Sequence, residues 1–245
     1  MKKGEKYIIL LESATDSCSV ALCDFEHLIA EKYALIPKGH DSMLAPLVKD
    51  ILDENNLTPK DCYAVAISQG PGSYVGLRIA TSLAKGLAFG GGLKLIGIST
   101  LTVITQCAIE NNLIKNGERL IVPMIDAGRM EVYTANYNSD GEQISEVSSK
   151  ILDENSYYSE LKENKVLFTG NGALKYYQFL KEKGAENKEI AELLNNATFI
   201  QQLPHASGLR IPAIQSLIKG KEDSVAYFEP FYLKDFIPGK AKKLL

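Results

Sequence analysis

The residues best suited to ligand chemistry are glycines and hydroxyl residues in one short stretch, Ser-Gln-Gly-Pro-Gly-Ser at positions 68–73. An apolar run precedes this stretch, and a helical pattern follows it as far as Phe89. Gly70 and Gly72 permit a positive φ or a close backbone approach, and Ser73 can cap the helix. Because free N–H groups at a helix N-terminus attract anions, phosphate binding is one interpretation of the stretch, and a turn without a ligand is the other.

The spacing of the glycines departs from the common phosphate-binding motifs. Glycines at 70, 72 and 76 lie one residue off the dinucleotide fingerprint, and no Gly-Lys-Ser/Thr ends the loop as in a Walker-type motif. Ser73 is not in a G-x-S-x-G nucleophile motif either, because residue 71 is proline. The sequence therefore indicates a strand, a turn and a helix without a standard phosphate loop or nucleophile.

Metal-ligating and nucleophilic residues are scattered along the chain. His27, His40 and His205 stand in separate segments, so none has a histidine partner one helical turn away. The four cysteines are single, with no C-x-x-C pair, and they indicate reduced structural thiols. Cys107 and Lys85 lie within helical patterns with no base nearby in sequence, which favours structural roles for both.

Composition excludes several classes of function. The 245 residues are 45% apolar and 23% charged, as in ordinary globular proteins, and no apolar run approaches the length of a membrane span. The apolar run after Lys6 stops at Glu12, too early for a secretion signal, so a cytoplasmic location is expected. A net charge of −3 gives no general attraction for nucleic acid, so the chain is not expected to be the main receptor of an RNA.

Alternating strand-like runs and helical periods predict an α/β chain. In the first half, strands are predicted at 7–11, 18–22, 27–34, 63–67 and 94–98, and helices at 39–55, 73–89 and 99–111. Asp41 or Ser42 is expected to cap the helix 39–55. After the polar segment 112–118, strands are predicted at 120–126, 131–137, 144–152, 165–169 and 198–200, and helices at 156–163, 173–183 and 206–219. Each half opens with three successive strands, so the sequence predicts an internally duplicated fold.

Four motifs carry a resemblance to a known family. The sequence GPGSYVGLR with the following Ala-Lys-Gly-Leu-Ala helix resembles the bacterial TsaB family, also called YeaZ-like. LLESATDSCSVAL looks like the first hairpin of that family, MIDAGRMEVYTANY like its mid-chain signature, and PFYLKD like its C-terminal motif. These motifs are spread along nearly the whole chain, from residue 10 to residue 235.

The resemblance implies a duplicated actin-like ATPase and sugar-kinase fold of the ribonuclease H-like class, with halves at 1–115 and 116–245. In that fold the first hairpin turn and its counterpart form two phosphate loops, which here would contain Glu12, Ser13 and Thr15, and then Asp126 and Arg129. A residual phosphate loop is therefore expected at Glu12, Thr15, Gly70 and Gly72. Glu12 departs from the aspartate usual at its position, which argues against an ordinary metal–phosphate contact.

The resemblance also implies a function. It predicts a non-catalytic scaffold that pairs with a TsaD-type catalytic homologue and works with a TsaE-type ATPase to modify adenosine in tRNA. ATP and metal are expected on those partners, and no catalytic or metal residue is assigned here. The His-x-x-x-His pair of TsaD has no counterpart in 98–112. The alternatives are an independent small-molecule kinase or ATPase and, following the older glycoprotease label, a metallopeptidase.

A stripe of small residues on the second helix suggests where a partner binds. Gly76, Ala80, Ala84 and Ala88 recur every four residues and share one helix face. With Met43, Leu44 and Leu47 of the first helix, they are predicted to form a helical interface with the catalytic homologue or, in the isolated protein, with a second copy. Packing of the stripe on the chain's own sheet is the alternative.

Overall fold

Two β-sheets form the framework of the chain in the computed structural model, which describes residues 6–35, 43–115 and 117–234. The first sheet contains β1 Tyr7–Glu12, β2 Ser17–Cys23, β3 Leu28–Leu35, β4 Cys62–Gly70 and β5 Lys94–Ser99. The second contains β6 Leu120–Asp126, β7 Glu131–Thr134, β8 Tyr137–Asn138, β9 Ser148–Ile151, β10 Val166–Thr169 and β11 Ala197–Ile200. The helices are α1 Leu44–Glu54, α2 Tyr74–Gly91, α3 Thr100–Glu110, α4 Tyr158–Glu163, α5 Ala173–Glu186, α6 Lys188–Leu193 and α7 Arg210–Ile218.

Both sheets have the same topology. The first has the order β3-β2-β1-β4-β5, and the second has the order β9-β7-β6-β10-β11, with the short β8 also beside β6. In each sheet the first three of these strands are antiparallel and the last two pairings are parallel. The predicted three-strand openings and the duplicated actin-like, ribonuclease H-like fold are therefore confirmed. The exact division between residues 115 and 116 stays a prediction.

The central strands of the first sheet are apolar on both faces because helices cover both faces. Ile9 and Leu11 of β1 point into a core shared with α1 and α2. Ile8 and Leu10 point the other way, into a core that includes α3 and residues 206–217. The C-terminal segment therefore crosses back and packs on the first sheet.

Helix α3 joins the two halves. Its residues Leu101, Ile104 and Ala108 are buried against Ile121 and Leu167 of the second sheet, while Val103 and Cys107 face the first. A helix that is apolar on two faces can be buried between two layers. None of the helices in the described ranges is long and apolar enough to cross a membrane.

Several predicted boundaries change. The helix expected at 39–55 is described from Leu44, preceded by Met43 without a side-chain cap, and the cap proposed at Asp41 or Ser42 lies outside the described residues. The single strand expected at 131–137 is divided into β7 and β8, because Tyr137 pairs with Ile121 rather than continuing along β9. The strand expected at 144–152 is reduced to 148–151, and α6 was not predicted.

The small-residue stripe of α2 faces the protein's own sheet. Ala80, Ala84 and Ala88 are at most 2% exposed and belong to the core beneath α1 and α2. A Cβ on Gly76 would lie 1.9 Å from the carbonyl oxygen of Ser13, so the turn after β1 requires glycine there. The prediction that this face is exposed for a partner is therefore wrong.

The predicted interface residues of α1 are also largely covered. Leu44 and Leu47 are buried in the same core as the stripe, and Met43 packs against its edge. The exposed positions of α2 are Arg78, which is charged, and five residues that are apolar, small or short: Val75, Ser82, Gly86, Phe89 and Gly90. We call these five residues the outer face of α2.

Candidate functional site

A cleft lies where the two hairpin turns meet. The turn after β1 contributes Ala14, Thr15 and Asp16, and the end of β6 contributes Asp126. Ser73 at the start of α2 completes one wall of a cavity of about 370 Å³. The structure thus brings together the two turns that the fold implies as phosphate loops.

Glu12 lies beneath the first turn rather than in the cleft. Its carboxylate is fully buried, accepts a hydrogen bond from the Ala14 N–H at 2.7 Å, and is hydrogen-bonded by the Ser68 hydroxyl. Burial raises the pKa of Glu12 to about 7, and these hydrogen bonds only partly oppose the shift. Glu12 therefore supports the turn. Of the four residues predicted for a residual phosphate loop, Thr15 and Gly72 line the cleft.

The glycine turn before α2 is shaped by its protein neighbours. A Cβ on Gly72 would lie 2.3 Å from the Ala14 carbonyl oxygen, which also accepts a hydrogen bond from the Ser73 N–H at 2.7 Å. The Ser73 hydroxyl accepts a hydrogen bond from the Gly76 N–H, as predicted for the helix cap. Two N–H groups at the start of α2 are therefore already hydrogen-bonded within the protein. This favours a turn that holds no ligand.

The backbone of Gly70 lies against the C-terminal segment rather than against the first turn. Its φ is +121°, and a Cβ there would lie 2.3 Å from the carbonyl oxygen of Phe231. Phe231 in turn donates its N–H to the Gln69 carbonyl at 2.7 Å. The C-terminal motif therefore passes directly over the glycine turn.

The carboxylate of the second turn is already engaged. Asp126 Oδ1 accepts hydrogen bonds from the Gly128 N–H at 2.8 Å and from Lys175 Nζ at 2.6 Å. The Asp126 N–H donates to Asn171 Oδ1 at 2.9 Å. Arg129 is exposed at the turn, with a φ of 47°. Lys175 and Asn171 were not predicted, because they follow β10, more than 40 residues away, in no recognisable motif.

The C-terminal motif ties the two halves together beside the cleft. The ring of Tyr232 stacks on Tyr74 with centroids 4.1 Å apart, and its hydroxyl accepts a hydrogen bond from Arg78 Nε at 3.3 Å. Lys234 forms an ion pair with Glu131 of β7. This arrangement gives the PFYLKD motif a structural role.

The remaining candidates do not converge on the cleft. Within residues 6–35, 43–115 and 117–234, no group of three or more His, Cys, Asp or Glu side chains is placed to hold a metal, and His40 lies outside these ranges. Burial raises the pKa of the Cys107 thiol to about 12, which leaves it unreactive. Lys85 Nζ donates to the carbonyl oxygens of Ala226 and Phe228, both at 3.1 Å.

Glu12 gives the chain a testable pH dependence. Its pKa is about 7 when folded and near the ordinary 4.5 when unfolded, so its stabilising effect is complete below pH 4.5 and is lost as the pH rises through 7. Glu12→Gln keeps the shape but does not titrate. Urea unfolding measures the free energy of unfolding of both proteins. Between pH 4.5 and pH 8, the wild-type value should fall relative to the value of the variant by about 3 kcal/mol. Parallel pH profiles for the two proteins would contradict this.

The sequence and the fold of the chain are similar to those of known proteins. The family profile described as "TsaD: tRNA N6-adenosine threonylcarbamoyltransferase" matches residues 27–237. The Escherichia coli "tRNA threonylcarbamoyladenosine biosynthesis protein TsaB" is 31% identical, over 95% of this chain and 96% of the relative. The Maridesulfovibrio salexigens tRNA N6-adenosine threonylcarbamoyltransferase is 31% identical over 42% of this chain and 33% of its own length.

A solved structure extends the likeness to three dimensions. A Pseudomonas aeruginosa protein described as similar to peptidase YeaZ has a TM-score of 0.72 and 26% identity, over 94% of this chain and all of that one. Sequence identity along almost the full length, together with this shared fold, places the molecule in one family. The chain belongs to the TsaB family, within the wider group of proteins that the TsaD profile describes.

Proposed function

We propose that this chain is a non-catalytic subunit in the biosynthesis of threonylcarbamoyladenosine on tRNA. It pairs with a TsaD-type catalytic homologue and works with a TsaE-type ATPase, and these partners supply the ATP and metal chemistry. The name of the Escherichia coli relative supports the pathway, and the matches to TsaD proteins support a partner of the same fold.

One observation supports the non-catalytic role most strongly: main polar groups of the two turns already bind the protein itself. In the cleft, the Ser73 N–H is bound to Ala14 and the Asp126 carboxylate to Lys175. Beneath it, the Glu12 carboxylate is bound to Ser68 and Ala14. A phosphate-transfer site needs donors and carboxylates that are free to hold a phosphate and its metal ion. This cleft offers few such groups.

The outer face of α2 is the surface proposed for the partner. Val75 is 55% exposed and Phe89 is 87% exposed, and a Cβ on Gly86 or Gly90 would meet no atom within 4 Å. A groove of about 370 Å³ lies beside Gly86 and Gly90 and is bordered by residues 58–60. Small residues such as Gly86 and Gly90 let a second helix approach closely. A homologue of the same fold would present the equivalent helix across an approximate two-fold axis. A second copy would use the same surface in the isolated protein.

Copurification from the native cell tests the proposal. The expected result is recovery of a homologue that carries a His-x-x-x-His pair, together with a TsaE-type ATPase. The isolated chain should show no MgATP turnover, no stoichiometric metal and no peptidase activity. Recovery of the chain alone with bound nucleotide and phosphate turnover would instead favour the small-molecule kinase.

A further inference from the structure

The C-terminal segment crosses from the first half to the second at the edge of the cleft. Residues 223–232 lie along the first half, and Lys234 reaches the second. Gly72 of the first half and Tyr133 of the second line both the cleft and a small gap beside residues 231–234. The segment is therefore placed to affect how far apart the two walls of the cleft stand.

The anchor of this segment on the first half is firm. The Asp223 N–H donates to the Leu95 carbonyl oxygen at 2.8 Å, and Phe228 is buried in the core beneath α1 and α2. Further along, the Phe231 N–H donates to the Gln69 carbonyl oxygen at 2.7 Å. Salt screens exposed charges but not a buried aromatic side chain or backbone hydrogen bonds. This anchor therefore stays in place under conditions that weaken exposed ion pairs.

Lys234 is bonded to both halves. Its carbonyl oxygen accepts a hydrogen bond from the Tyr74 hydroxyl at 3.4 Å, and its Nζ forms the ion pair with the Glu131 carboxylate. The side chain of Lys234 is 45% exposed and that of Glu131 is 21% exposed. A partly exposed ion pair is weak and is screened by salt. The contact with the second half can therefore be released while the anchor on the first half holds.

The two residues that Lys234 joins lie beside the two turns of the cleft. Tyr74 follows Ser73, which forms part of the first wall. Glu131 closes the second turn, because its carbonyl oxygen accepts a hydrogen bond from the Ala127 N–H at 3.1 Å. Ala127 itself lines the cleft. The contacts of Lys234 therefore connect one wall of the cleft to the other.

We propose that residues 229–234 act as a latch that sets how far the cleft opens. With the ion pair between Lys234 and Glu131 formed, the two turns are held together. When the ion pair breaks, the second half moves away from the first, and the buried apolar contacts of α3 keep the halves joined. The latch therefore controls the access of any molecule to the cleft. The inference does not depend on the proposed function, because the latch needs no partner chain.

Pulsed electron paramagnetic resonance of the full-length protein tests the latch. Spin labels on Asp16→Cys and Arg129→Cys report the distance between the two turns, because both positions are exposed. The four native cysteines are buried, so a chain without these two substitutions should take up no label. Lys234→Gln should raise the population of long distances about two- to fivefold, the effect of losing one exposed ion pair. Sodium chloride at about 1 M should do the same to the intact latch and should add nothing to Lys234→Gln.

Two sets of control variants make the result decisive. Lys32→Gln removes another partly exposed ion pair, with Glu54 of the first half, and should leave the distances unchanged. Tyr232→Ala removes the ring that stacks on Tyr74 and should also raise the population of long distances. Tyr232→Phe keeps the ring and should leave the distances unchanged. Unchanged distances in Lys234→Gln, or an equal shift in Lys32→Gln, would overturn the proposal.

Discussion

Ala80→Arg is expected to unfold the first half of the protein rather than only weaken a complex. Ala80 is 1% exposed and packs in the core between α2 and the first sheet. An arginine there would bury an unpaired charge and overfill the core, with an expected loss of more than about 4 kcal/mol. Urea unfolding followed by circular dichroism measures this loss.

Gly86→Arg is the matched control on the same helix. Gly86 is exposed, and a side chain there would meet no neighbouring atom, so the fold should persist. Replacement of a mid-helix glycine should raise helix stability by about 0.5–1 kcal/mol. A stable Ala80→Arg protein, or an unfolded Gly86→Arg protein, would show that the two faces of α2 are assigned the wrong way round.

Gly86→Arg is also expected to disrupt the proposed pairing with a TsaD-type homologue. A long charged side chain on the outer face of α2 would prevent the close helix approach that Gly86 and Gly90 allow. The dissociation constant should rise at least about a hundredfold, equivalent to about 3 kcal/mol. Analytical ultracentrifugation of the two purified subunits measures the change.

Ile218→Arg serves as the control for pairing. Ile218 is 76% exposed at the end of α7. That helix packs on the opposite side of the first sheet from α1 and α2. This variant should pair with wild-type affinity. If Ile218→Arg weakens pairing and Gly86→Arg does not, the partner binds the side covered by α7.

The duplicated fold could be predicted because its signals are local. The run from Ile8 to Leu11 is uniformly apolar, as expected of a central strand covered on both faces, and turns of small polar residues separate the strands. The motif GPGSYVGLR marks the strand-to-helix turn, and the Ser73 cap follows from sequence alone. Both hairpin turns of the cleft were likewise placed from the sequence.

The orientation of α2 could not be derived from its residue spacing. Small residues at every fourth position permit close approach by a partner helix or by the chain's own backbone, and the sequence does not tell which. The deciding contact is between Gly76 and the Ser13 carbonyl, which are 63 residues apart. The engagement of Asp126 by Lys175 depends on a similarly distant contact. Such pairings are set by tertiary packing and leave no local pattern.

Reconstituted modification of tRNA by the TsaD-type and TsaE-type partners tests the proposed scaffold role of this chain most directly. A Thr15→Ala, Asp126→Asn double variant alters the cleft but not the outer face of α2. This variant should support threonylcarbamoyladenosine formation at the wild-type rate, whereas Gly86→Arg should reduce it to the level seen without this chain. Loss of modification with the cleft variant, together with full modification with Gly86→Arg, would contradict the scaffold role and indicate catalysis within this chain.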